Sequence, residues 1–138
     1  MEIRGIKTVT ARFKSLSKKA DLQVKSSVQR NTDQIFAEAL ANVPIDRGFL
    51  RDSGNANTQN PYLGIVAFGG DLAPYAPYVE FGTGGQTVVP SGFDKFAMQF
   101  YVNGQGNMKP QPYLIPAFIK YRKIFLNDMR KIAKNISK

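Results

Sequence analysis

APYAPYVEFGTGG, residues 73–85, decides how this chain is read. Two prolines and three aromatics in nine residues lead into a run of glycines. Such a stretch can cradle a phosphate, form the edge of a sheet, or present a surface that another subunit covers. The phosphate reading fails on chemistry. FGTGGQT has neither the terminal Gly-Lys-Ser/Thr of a P-loop nor the G-x-G-x-x-G spacing of a dinucleotide fold. A phosphate loop must also open a helix whose N–H groups point at the ligand, and here Thr87, Val88, Val89 and Pro90 follow. What remains is an edge strand over YAPYVEF (75–81), with Tyr75, Val79 and Phe81 on one side and Tyr78 and Glu80 on the other. Pro77 lacks an N–H, so pairing is limited to the edge or to the second half.

Working outward, YLGIVAFGG (62–70) is a short apolar run bounded by Asn60-Pro61 and Gly69-Gly70, a strand signal. FDKFAMQFYV (93–102) suits a third strand or a short helix, and the alternation of Phe96, Met98 and Phe100 favours the strand. GTGGQTVVPSG and NGQGNMKPQP are rich in glycine and proline and read as long, mobile loops. Ile6, Val9, Phe13, Leu16, Ala20, Val24, Val28, Ile35, Ala39 and Val43 recur at steps of three, four or seven. They predict one long N-terminal helix, ended by Pro44. A continuous helix over this span reaches about 55 Å. Asn31 followed by Gln34 offers a cap for a second helix, but the stripe keeps its register across Asn31, which favours one. Phe118, Tyr121, Phe125, Met129, Ile132 and Ile136 predict a second amphipathic helix from Pro112 onward. The expected fold is α+β: a long N-terminal helix, a small antiparallel sheet of about three or four strands with long loops, and a basic C-terminal helix packed on the sheet. The chain reads as a single domain, with a helix over 1–43, a β-rich middle over 44–111 and a helix over 112–138.

Composition narrows the chemistry. The 138 residues, 43% hydrophobic, suit one globular domain. No apolar run approaches the roughly 20 residues of a membrane span, and MEIRGIKTVTARFKSLSKKA lacks the apolar core of a secretory signal. There is no cysteine and no histidine, which removes disulfides, thiolate nucleophiles, the usual zinc sites and the commonest general base. Asp46 and Asp52 each have an arginine beside them in IDRGFLRDSG, so local ion pairs explain them. Ser53 and Ser91 have no histidine to activate them. No metal and no cofactor is expected.

Charge is segregated. Residues 1–30 carry +6, residues 31–119 carry −3 and residues 120–138 carry +6. Basic ends suit a polyanion or an acidic protein surface, so a sequence-independent DNA-binding module is one reading. Aromatics crowd the middle, at Tyr62, Phe68, Tyr75, Tyr78, Phe81, Phe93, Phe96, Phe100, Tyr101 and Tyr113. A thin sheet with two helices leaves some of them for another chain to cover.

Three segments in order carry a family likeness: VPIDRGFLRDS (43–53), YAPYVEFGT (75–83) and QPYLIPAF (111–118). With the flanking helices they resemble the tail-completion, neck or minor tail proteins of tailed bacteriophages. Gly48, Leu50, Arg51 and Ser53 match the first motif of that family. Tyr75, Ala76, Tyr78, Val79, Glu80, Phe81, Gly82 and Thr83 match the second, and Pro112, Leu114, Pro116 and Ala117 the third. Arg47 replaces the usual Thr, and Tyr113 the usual Phe. The resemblance implies a non-enzymatic structural protein of the virion, assembled in the host cytoplasm. It further implies a homo-oligomeric ring, hexamer or dodecamer, at the head–tail junction, with connector and tail-tube proteins as neighbours and passing DNA within reach of the basic ends. Subunit contacts are then expected at Arg51, Tyr75, Tyr78, Glu80, Phe81, Gly82, Thr83, Tyr113 and Leu114.

Overall fold

A computed structural model describes residues 2–3, 18–98 and 105–136. In chain order the elements are β1 (Glu2–Ile3), α1 (Lys18–Asn42), α2 (Phe49–Asp52), β2 (Asn55–Asn60), β3 (Leu63–Ala67), α3 (Ala76–Phe81), α4 (Asp94–Met98) and α5 (Ile115–Ile136), with a 3-10 turn at Gly84–Gln86. The arrangement is α+β.

α1 forms because Ala20, Val24, Val28, Ile35 and Ala39 fall on one face and are buried there. It runs unbroken through Asn31. That side chain donates backward to the Ser27 carbonyl at 2.8 Å instead of capping a new helix. The helix closes with the Val43 N–H on the Ala39 carbonyl, and Pro44 follows. The expected start needs correction. Glu2 and Ile3 pair antiparallel with Ala67 and Val66 of β3, so the helix does not begin at residue 1. Ile6, Val9, Phe13 and Leu16 lie outside the described residues.

β2 and β3 form an antiparallel hairpin, and β1 adds its two residues to the other edge of β3. The apolar run at 62–70 contains β3 as expected, and Leu63 through Val66 are all buried. Central strands read as continuous apolar runs because both faces are covered. Its partner β2, NANTQN, carries no large apolar side chain. Asn60 makes the turn by accepting from the Tyr62 N–H at 2.8 Å. The sheet crosses α1 very closely at Gly64, where a Cβ would lie 1.7 Å from Thr32 Oγ1.

Two expected strands are helices. Residues 75–81 carry α3, with the Val79 N–H on the Tyr75 carbonyl and the Gly82 N–H on the Tyr78 carbonyl. Pro77 sits in the first turn, where its missing N–H would have had no partner. Ala76, Val79 and Glu80 share the buried face at helical spacing, so the alternation over seven residues was incidental. Residues 94–98 form α4, opened by Asp94 in the first turn, and residues 99–102 lie outside the described residues.

The C-terminal helix starts at Ile115, three residues after Pro112, and packs antiparallel along α1 instead of lying on the sheet. Phe125, Met129 and Ile132 meet Ala20, Val24 and Val28 at one end. At the other, Leu114, Ala117 and Phe118 join Ile35, Ala39, Val43, Val66, Phe68 and Tyr113 in the main core. α1 therefore has α5 as one neighbour and the sheet as the other. Among the described aromatics, Phe68, Phe81 and Tyr113 are buried and Tyr62, Tyr78 and Phe93 half-buried within the protomer. Phe68 and Tyr113 meet edge to face at 5.2 Å, and Phe93 and Phe118 at 6.2 Å.

Candidate subunit interface

The second and third motifs are one structural unit, and Glu80 joins them. Its carboxylate is 2% exposed. Oε2 accepts the N–H groups of Tyr113 (2.9 Å) and Leu114 (3.0 Å), and Oε1 accepts that of Ile115 (2.9 Å). These are orphan donors at the start of α5, and an anion there is favoured by the helix dipole. Burial pushes the Glu80 carboxyl above its ordinary range, and the three N–H bonds pull the other way. Tyr113, fully buried, donates its hydroxyl to the Ala76 carbonyl at 3.2 Å. Burial, and then the Glu80 charge, drive its ionisation upward.

The irregular segment 105–111 is sewn to the same unit. The Gln111 N–H donates to the Val79 carbonyl and the Thr83 N–H to the Met108 carbonyl. The Met108 N–H returns to Thr83 Oγ1 at 2.9 Å. Gly84, at φ 57°, lets the two backbones touch, since a Cβ there would sit 2.1 Å from the Gly106 carbonyl oxygen. The first motif is fastened by Ser53. Its hydroxyl donates to the Leu50 carbonyl at 2.6 Å and accepts from the Gly69 N–H at 2.9 Å. The serine thus holds α2 to the segment leaving β3.

Where these three pieces meet, a groove of about 480 Å³ opens between Pro44, Asp46, Arg47, Gly48, Phe49, Leu50, Tyr75, Val79, Met108 and Gln111. Phe49 (45% exposed), Tyr75 (40%) and Met108 (42%) stand at it, with Ile45 exposed nearby. An apolar cluster of this kind on a small protein is the usual mark of a contact surface.

The nine residues expected at a subunit contact divide into two groups. Arg51 and Tyr75 are exposed, and Tyr78 and Thr83 are half-buried. Glu80, Phe81, Gly82, Tyr113 and Leu114 are buried within the protomer, so they act on any contact by fixing the shape beneath it. Phe49 and Met108 were not expected. In FLRD nothing local tells which of Phe49 and Leu50 turns inward, and Met108 lies in a segment without periodicity. Among the described residues no group of three His, Cys, Asp or Glu side chains could hold a metal, and no described helix is long and apolar enough to cross a membrane.

A second polar centre ties the long helices. Asp128 of α5 accepts from Ser27 Oγ at 2.8 Å, from Arg30 at 2.7 Å and from Asn31 Nδ2 at 3.3 Å. Ser27 and Asn31 are buried. Burial raises the Asp128 carboxyl, but the bonds from Ser27, Arg30 and Asn31 and the Arg30 charge prevail and hold it below its ordinary value.

No curated protein and no solved structure matches the chain. A family model does, over residues 7–82, a little more than half of the chain. The matched span takes in α1 through α3 and ends at Gly82. It includes Glu80 and the part of the groove from Pro44 to Val79, while Met108, Gln111 and the N–H donors at residues 113–115 lie beyond it. The family is described as "Bacteriophage HK97-gp10, putative tail-component", and this chain belongs to it: it is a structural component of a phage tail and so a protein of the virion.

Proposed function

We propose that the protein forms a ring at the head–tail junction, completing the tail or joining it to the connector. The observation that carries this reading is the apolar groove built jointly by the first and second motifs and the segment before the third. Its exposed lining, Phe49, Tyr75 and Met108, suits insertion of an apolar side chain from the next copy. Such a heterologous contact, repeated, closes a ring. On this reading Arg51, Tyr78 and Thr83, which are exposed or half-buried, add polar contacts between copies, and the buried Glu80, Phe81, Gly82, Tyr113 and Leu114 act by holding the fold beneath them. Assembly in the host cytoplasm, on connector and tail-tube neighbours, follows from the same reading, as does treatment of 1–138 as one domain.

Mass measurement in solution, with and without the tail-tube protein, tests it. The wild type is expected as a closed oligomer in at least one of the two conditions, and Phe49→Glu with Tyr75→Glu as a folded monomer in both. A wild type that stays monomeric and binds no neighbouring virion protein overturns the reading.

A further inference from the structure

The outer face of α5 has been given no role by the groove or by the core. α5 is 22 residues long, about 33 Å, and its inward stripe is spent on α1. Pro116, Lys120, Lys123, Asn127, Arg130 and Lys134, at steps of four and three, line the opposite side, and all are exposed. Lys131 flanks them, also exposed. The only acid in the helix, Asp128, is turned toward α1 by Ser27 and Asn31. Two of the helix cations are engaged locally: Lys120 bridges Glu38 at 2.9 Å, and the Arg122 guanidinium lies 5.8 Å from the Phe118 ring centre. Lys123, Arg130 and Lys131 form no salt bridge with a described acid. Lys123 and Arg130 are seven residues apart, about 10 Å along the axis.

We propose that this face is a contact surface for the phosphate backbone of duplex DNA, read without regard to sequence. Charge complementarity argues for it: Glu38 engages the row at Lys120, but Lys123 and Arg130, with Lys131 beside them, form no salt bridge with a described acid, and such a row matches a uniformly anionic partner. The composition argues against an acidic protein in its place. Protein interfaces are centred on aromatic or apolar anchors. Here Ile124 is the one large apolar side chain of α5's middle turns that is exposed, at the flank. A phosphate backbone needs no such anchor. The inference goes beyond the assembly reading and does not depend on it.

The test is anisotropy of a labelled duplex of arbitrary sequence, titrated with the full chain between about 50 and 200 mM salt. The wild type is expected to bind at low salt and to weaken steeply as salt rises. Lys123→Gln with Arg130→Gln should lower affinity at least tenfold at low salt. It should also make the slope of log K against log salt shallower by about 2, near 0.9 per lost phosphate contact. Lys95→Gln with Lys109→Gln removes the same charge from the loop end and should change neither. All four side chains are exposed, so melting temperatures should match and loss of fold cannot mimic the result. The proposal is overturned if the wild type fails to bind, if both double variants weaken binding equally, or if polyglutamate displaces the duplex at a lower concentration of charge. That last outcome would assign the face to an acidic protein.

Discussion

Glu80 and Asp128 are both carboxylates that tie distant parts of the chain, yet they do so by opposite means. Glu80 is sealed in the core and takes all its bonds from backbone N–H groups of one helix start. Asp128 is about one-fifth exposed and takes its bonds from side chains of the neighbouring helix, one of them a full positive charge. At Glu80 the loss of water outweighs the bonds, so its proton is held more tightly than in an unfolded chain. At Asp128 the bonds and the arginine outweigh the loss of water. Burial alone therefore does not set the sign of a carboxyl shift; the kind of donor and the remaining access to water do.

The largest break in this comparison should come from Glu80→Ala. It leaves three buried N–H groups without an acceptor, each costing about 1–3 kcal/mol, so the loss is at least roughly 3 kcal/mol. In a chain of this size that lowers the melting temperature by about 10 °C or more. Loss of assembly would accompany loss of fold. If Glu80→Ala melts like the wild type but fails to assemble, the carboxylate belongs to a contact between subunits instead.

Asp128→Ala should cost less, roughly 1–2 kcal/mol. Ser27 loses its acceptor, but Asn31 keeps the Ser27 carbonyl and Arg30 turns to solvent. The assembly state should be unchanged. Equal melting losses for the two alanine variants would show that side-chain donors matter as much as the capped helix start.

The smallest effect sharpens the contrast most. A carboxyl raised in the folded state binds more protons there than when unfolded. The Glu80 contribution to stability is therefore full below the ordinary glutamate value of about 4.3, and declines as pH rises toward the raised one. A depressed carboxyl does the reverse. The Asp128 contribution is full above about 3.9 and is lost as pH falls through its lowered value. Melting curves across this range should lose their high-side slope in Glu80→Gln and their low-side slope in Asp128→Asn. The same slope lost in both variants would refute the opposite signs.

The long helices and β3 were legible because each rests on a pattern longer than its own ambiguity. α1 and α5 repeat over several turns, and β3 is a continuous apolar run closed by Asn60-Pro61 and Gly69-Gly70. α3 was not. Over seven residues Tyr75 and Val79 satisfy a period of two and a spacing of four equally well, and Pro77 suits a first helical turn as readily as a sheet edge. β2 was invisible because its residues are polar and its place is set by β3. The site shows the same limit. The motif order brought Glu80 and Tyr113 under one heading, but a single buried acid does not announce which N–H groups it will meet. Its expected place at a subunit contact came from the motif it matches, and the exposed groove residues Phe49 and Met108 carried no signal at all.

Gly64 has a consequence for how the hairpin finds its partner. β2 turns only Ala56 and Thr58 partly inward and buries no large side chain, so it has little preference for one alignment over another. β3 must then be placed by something else. Only a hydrogen fits opposite Thr32. A slide of two residues would bring Tyr62 or Val66 to that spot with the same face inward, and neither could enter. The glycine acts as a keyway: the sheet seats on α1 in one alignment because one position along it has been left empty.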